Sequence, residues 1–185
     1  MTDEELQAAL VEHAYLEGDF VLRSGRRSSY YLDKYRFETQ PELLRELGER
    51  LARAVGELEP EADRLASPEL GAVALGASTS IASGLPFLIV RKEAKEYGPA
   101  KRIEGAFEER EVVCLIEDIV TTGGEVRKAV EALRAVGLEC RTAVCVIDRE
   151  EGGSDALAGL GVRLVPLFRA SELPVERKSA AKPHG

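Results

Sequence analysis

One segment of the chain places acidic, hydroxyl-bearing and glycine residues in an order that suits a phosphorylated polyol. Residues Glu117–Glu125 read Glu-Asp-Ile-Val-Thr-Thr-Gly-Gly-Glu and follow an apolar run, Val112–Ile116, with the length of a buried strand. Apolar residues then recur at helical spacing, at Val126, Ala129, Val130, Leu133 and Val136. The segment therefore predicts a strand, an acidic pair, a turn and a helix. Open α/β sheets bind ligands at the carboxyl ends of their strands, and the first amides of a helix bind phosphate.

The acidic pair, Glu117 and Asp118, would lie where the strand ends. Carboxylates there could accept hydrogen bonds from sugar hydroxyls, or lie near Mg²⁺, which prefers oxygen ligands and often arrives with substrate phosphates. The alternative is a pair that only caps the turn. The turn itself, Thr121–Gly124, favours a ligand because glycine lets the backbone approach a phosphate and threonine adds hydroxyl donors. A plain turn with a threonine cap remains the alternative there.

A second segment, 91–105, is basic within an acidic chain. Between Arg91 and Arg102, five positive residues face two glutamates, a balance of +3, whereas the whole chain carries −8. The positive residues are Arg91, Lys92, Lys95, Lys101 and Arg102. Such a cluster would attract a diphosphate and stabilise it as a leaving group. A solvated loop of mixed charge is the alternative.

Arg149 follows an apolar run that ends at Ile147, so it should lie at the same edge of the sheet as Glu117. Its guanidinium could bind a carboxylate with two parallel hydrogen bonds, although for a lone arginine a surface ion pair with Asp148 or Glu150 is the more common explanation. No Gly-x-x-x-x-Gly-Lys motif is present, which disfavours a P-loop ATPase. No Gly-x-Gly-x-x-Gly follows the first strand, which disfavours a dinucleotide-binding fold.

The elements around these segments alternate between strand and helix patterns. Helices are predicted over 3–17, 41–58 and up to about Ser83, and strands over 20–22, 30–32, 64–66, 87–90, 112–116, 141–147 and 162–168. This alternation predicts an α/β fold with a mainly parallel central sheet covered by helices on both faces. The 91–105 stretch has no predicted element, and loops of that kind often close over sites.

Composition narrows the class of protein. The chain has 185 residues, which predicts one domain, and its net charge of −8 argues against a general nucleic-acid binder. No apolar stretch approaches the ~18 residues of a membrane span, and the first residues do not resemble a secretory signal, so we expect a cytoplasmic protein that does not enter the membrane. The three cysteines lie in or beside apolar runs and are interpreted as small buried hydrophobic residues.

Several of these segments together resemble the orotate phosphoribosyltransferases, which are type I phosphoribosyltransferases. The 117–125 segment looks like the motif of that class for 5-phosphoribosyl 1-diphosphate (PRPP). The further matches, in chain order, are Leu22–Arg26 with Tyr30 and Tyr31, then Arg91–Lys95 running to Ile103–Gly105, then Asp148 and Arg149. The PRPP motif alone indicates only the broad class, whereas the last two matches are much more specific.

The resemblance implies a fold, a reaction and partners. The fold would be a single type I phosphoribosyltransferase domain over 1–185, with a small hood at about 1–40 and a polar tail at about 171–185. The reaction would transfer the phosphoribosyl group of PRPP to orotate, in pyrimidine synthesis. The resemblance also implies Mg²⁺, held mainly by PRPP near Glu117 and Asp118, and a homodimer whose 91–105 loop is shared between subunits.

The resemblance further implies a role for each matching residue. Lys95 and Asp118 would be catalytic. The residues that bind PRPP would be Arg23, Arg91, Lys92, Lys95, Tyr97, Glu117, Asp118, Ile119, Val120, Thr121, Thr122, Gly123, Gly124 and Glu125. The residues that bind orotate would be Tyr31, Leu32, Thr121 and Arg149.

The chain departs from the family pattern at two informative positions. Tyr97 stands where many members have a histidine, which speaks against proton transfer there because a tyrosine does not titrate near neutrality. Leu70 stands where some members have a lysine, which leaves the 67–71 turn dependent on backbone donors. Two other functions stay open: a phosphoribosyltransferase for another base, and a non-catalytic PRPP-sensing regulator.

Overall fold

Six strands in the described residues form the central sheet, in the order β5-β4-β3-β6-β7-β8, and two more form a hairpin, β1-β2. The structure is a computed structural model that describes residues 1–21, 25, 27–93 and 102–175. Its helices are α1 (Asp3–Ala14), α2 (Lys34–Glu38), α3 (Pro41–Leu58), α4 (Ala72–Ser83), α5 (Gly124–Ala135) and α6 (Gly153–Ala158), and a 3₁₀ turn spans Ala170–Glu172. Its strands are β1 (Tyr15–Val21), β2 (Arg27–Leu32), β3 (Arg64–Pro68), β4 (Phe87–Val90), β5 (Ile103–Glu104), β6 (Val112–Val120), β7 (Glu139–Asp148) and β8 (Arg163–Arg169).

The order of the strands creates a crevice at one point of the sheet. Strands β4, β3, β6, β7 and β8 pair in parallel, and among the described strands of this sheet only the short edge strand β5 is antiparallel. The chain moves outward from β3 to β4, and then returns to the other side of β3 with β6. Ligands bind in open α/β sheets where the order reverses in this way, outside the carboxyl ends of the strands. That point lies between β3 and β6.

Two apolar layers cover the sheet, as predicted for a parallel sheet with helices on both faces. Cys114 and Ile116 of β6 pack in one core with α1 and α3, whereas Val113 and Leu115 pack in the other with α5. Successive side chains of a strand point to opposite faces, which explains this alternation over 113–116. None of the helices in the described residues has the length and apolarity that crossing a membrane requires.

Most of the predicted elements are confirmed, with their ends adjusted. The α3 helix begins at Pro41 and ends at Leu58, as expected from its proline start and leucine spacing. The α1 helix is shorter than predicted: Thr2, not Asp3, is its N-cap, and the chain turns into β1 at Tyr15. All three cysteines are free and buried, as expected.

The main correction concerns the acidic pair. The strand that was expected to end at Ile116 continues to Val120, because pairing with β7 continues through Glu117, Ile119 and Val120. Glu117 and Asp118 therefore lie inside β6 and not after it. Four short elements were not predicted at all: α2, β5, α6 and the 3₁₀ turn.

Candidate functional site

Asp118 lies at the reversal point between β3 and β6. Its side chain is buried, and its Oδ2 lies 2.5 Å from Nζ of Lys34, which belongs to α2. Its Oδ1 accepts a hydrogen bond from the amide of Ile119 at 2.5 Å. A Cβ placed on Gly71, just after β3, would collide with both Asp118 and Lys34. Three distant segments therefore meet at one carboxylate.

Glu117 is the second carboxyl group of the pair, and it is also buried. Its Oε1 accepts a hydrogen bond of 3.0 Å from the amide of Asp118. Burial and the negative charge of Asp118 raise the pKa of Glu117 well above its ordinary value. Of the two carboxyl groups, Asp118 is the one that pairs with Lys34.

The turn after β6 is shaped for an anion. Gly123 has a φ of +78°, a conformation that glycine adopts readily, and α5 begins at the next residue. Gly123 gives no side-chain cap to α5, so the first amides of this helix are left for a ligand. The start of α6 packs behind the turn, where a Cβ on Gly153 would lie 2.6 Å from the carbonyl oxygen of Thr121. Thr121 and Thr122 are exposed at the mouth of the turn.

Arg149 is brought to the same edge of the sheet as this turn. Val120 and Asp148 are partners in the β6–β7 register, and the amide of Arg149 donates to the carbonyl of Val120 at 2.8 Å. Its guanidinium contacts Glu151 at 3.3 Å and the hydroxyl of Tyr30 at 3.4 Å. The expected ion pair with a neighbouring carboxylate therefore exists, but with Glu151 and not with Asp148 or Glu150.

Arg91 and Lys92, at the base of the basic loop, share a groove of about 210 Å³ with Glu125 and Lys128 of α5. Arg91 lies between Glu69 at 3.7 Å and Glu104 at 3.6 Å. The amide of Lys92 donates to Glu69 at 2.8 Å. The groove therefore connects the base of the loop with the start of the helix that follows the turn.

The remaining predicted residues lie in the hairpin or outside the described residues. Tyr31 is exposed, whereas Leu32 is buried in the core beside α1. A base in an open pocket could therefore reach Leu32 only at its backbone. The residues Arg23, Lys95 and Tyr97 lie outside the described residues.

Sequence reasoning missed three side chains of this site: Lys34, Glu38 and Glu151. Lys34 and Glu38 lie on α2, which has only five residues and so is too short to show helical periodicity. The available signal was Asp33, which caps α2 by accepting a hydrogen bond from the amide of Tyr35. Glu151 could have been considered as a partner of Arg149 two residues away.

The donor atoms fit a Mg²⁺ ion that is held mainly by substrate phosphates. Within the described residues, no three histidine, cysteine or acidic side chains are grouped so as to hold a metal ion. The oxygens of Asp118 already engage Lys34 and a backbone amide. The chain thus offers carboxylates beside an anion-binding turn, which suits an ion that keeps phosphate oxygens and water as ligands.

The comparisons with known proteins agree on one family, although no family model matches the chain. The chain is 46% identical over 156 residues to an orotate phosphoribosyltransferase of Methanocella arvoryzae, covering 84% of this chain and 87% of the relative. It resembles the solved UMP synthase of Leishmania donovani with a TM-score of 0.85 and 32% identity, covering 99% of this chain and 40% of the longer one.

A further solved structure contains a substrate. It is the orotate phosphoribosyltransferase of Mycobacterium tuberculosis in complex with PRPP, with a TM-score of 0.77 and 25% identity over 92% of this chain and 97% of that one. The chain belongs to the orotate phosphoribosyltransferase family.

Proposed function

We propose that this protein transfers the phosphoribosyl group of PRPP to orotate, forming orotidine 5′-monophosphate and diphosphate on the route to UMP. One observation carries the proposal. An anion-binding turn and a buried carboxylate lie at the end of β6, and the half-buried Arg149 follows β7, so all three lie at one edge of the sheet, beside the point where the strand order reverses. The relatives named above have this activity in their names.

PRPP would bind across the end of β6. Its 5-phosphate would accept hydrogen bonds from the Thr121–Gly124 turn and from the first amides of α5. Its ribose hydroxyls would donate to Asp118, with Glu117 beside it. Its diphosphate would extend toward the groove that contains Arg91 and Lys92. Ile119, Val120, Thr122 and Glu125 would complete this site through their backbone or their position in the turn.

Orotate would bind on the Arg149 side of the turn. It carries a carboxylate, and a guanidinium can bind a carboxylate with two parallel hydrogen bonds. The carboxylate of orotate would replace that of Glu151 as the partner of Arg149. Thr121 and Tyr31 would line the base, with Leu32 contributing only its backbone.

The chemistry needs position and charge more than a protein nucleophile. Departure of diphosphate leaves positive character on the ribose carbon, and a nitrogen of orotate attacks its opposite face. Cations aimed at the leaving group would stabilise the charge that builds there, and Mg²⁺ on the PRPP oxygens would supply part of that charge. For Lys95, Arg23 and Tyr97, the roles implied by the resemblance are kept as proposals.

A homodimer would place the 91–105 loop over the site of the neighbouring subunit. Two large apolar side chains support a second copy as partner: Leu70 is 70% exposed and Ile81 of α4 is 87% exposed. Exposed apolar residues of this size are typical of interfaces. The cytoplasmic location stays a prediction.

A transferase for another base is the second candidate, and Arg149 speaks against it because purines carry no carboxylate. A non-catalytic PRPP sensor would need no half-buried arginine beside the turn. Both remain testable in one assay. Purified protein, PRPP and Mg²⁺ are mixed with orotate, uracil or adenine, and the loss of base absorbance is followed. We expect turnover of orotate only, whereas turnover of adenine, or binding of PRPP without any turnover, would contradict the proposal.

The residue that selects orotate can be tested in the same assay. Arg149→Ala removes the guanidinium, so it should raise the KM of orotate roughly 100-fold or more and leave the KM of PRPP nearly unchanged. Arg163→Ala, at an exposed position of β8, is the control. An equal rise in the KM of orotate and of PRPP would contradict the assignment of Arg149.

A further inference from the structure

A lysine outside every recognised motif lies in the acidic part of the site. Nζ of Lys34 is 2.5 Å from Oδ2 of Asp118, and the two residues are 84 positions apart in the chain. The side chain of Asp118 is 2% exposed and that of Lys34 is 30% exposed. Since the amide of Ile119 donates to Oδ1, both oxygens of Asp118 are engaged and its orientation is fixed.

Lys34 is also the positive charge that faces the local carboxyl groups. Burial lowers the pKa of Lys34, but the nearby charges of Asp118, Glu117 and Glu38 outweigh it and raise that pKa. Lys34 therefore stays an ammonium group at neutral pH. Without it, the negative charge of Asp118 would repel the phosphates of a sugar phosphate.

The surrounding backbone is shaped around this ion pair. A side chain at Gly71 would collide with both Oδ2 of Asp118 and Nζ of Lys34, so a glycine is required for the 67–71 turn to approach them. The neighbouring Leu70 is exposed and apolar, and it brings no charge to the turn. Lys34 supplies a positive charge beside the turn from a different segment of the chain.

A second residue of α2 supports Asp118 from the same side. Lys34 and Glu38 are separated by four positions, so they share one face of the helix. Glu38 is 3% exposed, and its Oε1 is buried without a hydrogen-bond partner among the described residues. This helix thus presents two polar side chains to one carboxylate.

We propose that Lys34 is a positioning residue for the transfer reaction: it holds Asp118 in the orientation that receives the ribose hydroxyls of PRPP, and it offsets the negative charge of the site. The inference rests on the proposed function, because PRPP is the ligand that Asp118 would bind. Lys34 acts through Asp118, so its contribution depends on the presence of that carboxylate.

A double-mutant cycle tests this dependence. Lys34→Met keeps the length of the side chain and removes its charge, and it should raise the KM of PRPP about 10- to 100-fold while the KM of orotate changes less than about threefold. Lys34→Arg restores the charge and should recover most of the affinity for PRPP. In an Asp118→Asn background, Lys34→Met should raise the KM of PRPP less than about threefold. Arg36→Met, at an exposed position of the same helix, is the control.

Equal losses in both backgrounds, or an equal rise in both KM values, would overturn the proposal. The double variant has no unpaired carboxylate at position 118, so it should fold even if Lys34→Met alone does not. Its KM for PRPP can then be compared with that of Asp118→Asn. An inactive wild type would contradict the proposed function, and the same cycle would then be measured as PRPP binding by calorimetry. An active wild type with an unaffected Lys34→Met variant would overturn only the role of Lys34.

Discussion

The guanidinium of Arg149 lies over the ring of Tyr30, with its central carbon 5.3 Å from the ring centroid. Tyr30 belongs to the β1–β2 hairpin, and Arg149 follows the last residue of β7. The ring of Tyr30 in turn stacks on that of Tyr15, with centroids 5.5 Å apart. The hairpin therefore holds the arginine that would bind orotate, although it lies outside the central sheet.

Replacing Tyr30 separates the ring contact from the hydroxyl contact. Tyr30→Leu removes the aromatic face, which is worth about 0.5–2 kcal/mol to a stacked guanidinium, and should raise the KM of orotate roughly 2- to 30-fold. Tyr30→Phe keeps the ring and loses the long, 3.4 Å hydrogen bond to Arg149, so its KM for orotate should stay close to that of the wild type. Steady-state kinetics with saturating PRPP measures both. Equal effects of the two changes would refute the role of the ring.

Gly123→Ala tests the phosphate-binding turn. Gly123 has a φ of +78°, and a Cβ there would lie 3.2 Å from the carbonyl oxygen of Gly153. The turn would have to shift, so the KM of PRPP should rise at least about tenfold because the amides lose their alignment.

Gly137→Ala is the matched control for that change. Gly137 has a φ of +84°, and a Cβ there would lie 3.3 Å from Glu109, at the far end of α5. Both variants should lose about 1–2 kcal/mol of unfolding free energy from backbone strain. Only Gly123→Ala should weaken the binding of PRPP. Loss of PRPP affinity in both variants would show that strain, and not the turn, was responsible.

Glu38 makes stability depend on pH. Burial, and then the negative charge of Asp118, raise the pKa of Glu38 to about 8, from an ordinary value of 4.5. The folded state therefore binds a proton that the unfolded state releases, so stability is greatest below pH 4.5 and is lost as the pH rises through 8. Glu38→Gln removes this loss.

Urea unfolding at pH 5, 7 and 8.5 measures the effect. Glu38→Gln should match the wild type near pH 5 and exceed its unfolding free energy by roughly 2–4 kcal/mol at pH 8.5. Glu57→Gln, at an exposed position of α3, should follow the wild type throughout. Parallel curves for Glu38→Gln and the wild type would show that Glu38 titrates in its ordinary range.

Thr142→Val tests a buried carboxylate away from the site. Burial raises the pKa of Glu59, but hydrogen bonds from Arg141 and from Thr142, the latter 2.7 Å long, outweigh burial and lower it. A lowered pKa contributes stability that is present above the unfolded value and lost as the pH falls through the folded one. Loss of the hydroxyl should cost about 1.5–3 kcal/mol of unfolding free energy at pH 7, and less as the pH falls and Glu59 becomes protonated.

Thr79→Val is the control for this prediction, since Thr79 is equally buried and donates to the neutral carbonyl of Leu75 at 2.7 Å. Its cost should be smaller and should not depend on pH. A cost for Thr142→Val that stays constant between pH 7 and pH 3 would contradict the role of Glu59. Urea unfolding serves again as the measurement.

The sequence predicted the elements whose signals are local. Helix α3 was bounded correctly because Pro41 marks its start and apolar residues recur along one face. The predicted strand at β6 was too short because charged residues interrupt its apolar run, whereas in the structure the backbone continues to pair with β7. A charge inside a buried strand is tolerated here because Lys34 pairs with it, and that partner is 84 residues away.

In the site, too, features with a local sequence signal could be predicted, whereas features that depend on distant residues could not. The turn at Thr121–Gly124 could be predicted because its residue types are adjacent in the chain. The pairing of Arg149 with Tyr30 and Glu151 could not, because it depends on strand register and on the position of the hairpin. The reversal of strand order between β3 and β6 is likewise a property of the whole sheet.

A structure of the protein with PRPP bound tests the central claim most directly. We predict the 5-phosphate at the first amides of α5 and the ribose hydroxyls at Asp118, beside the reversal point between β3 and β6. Density for PRPP at any other edge of the sheet, with the 121–124 turn empty, would contradict the account.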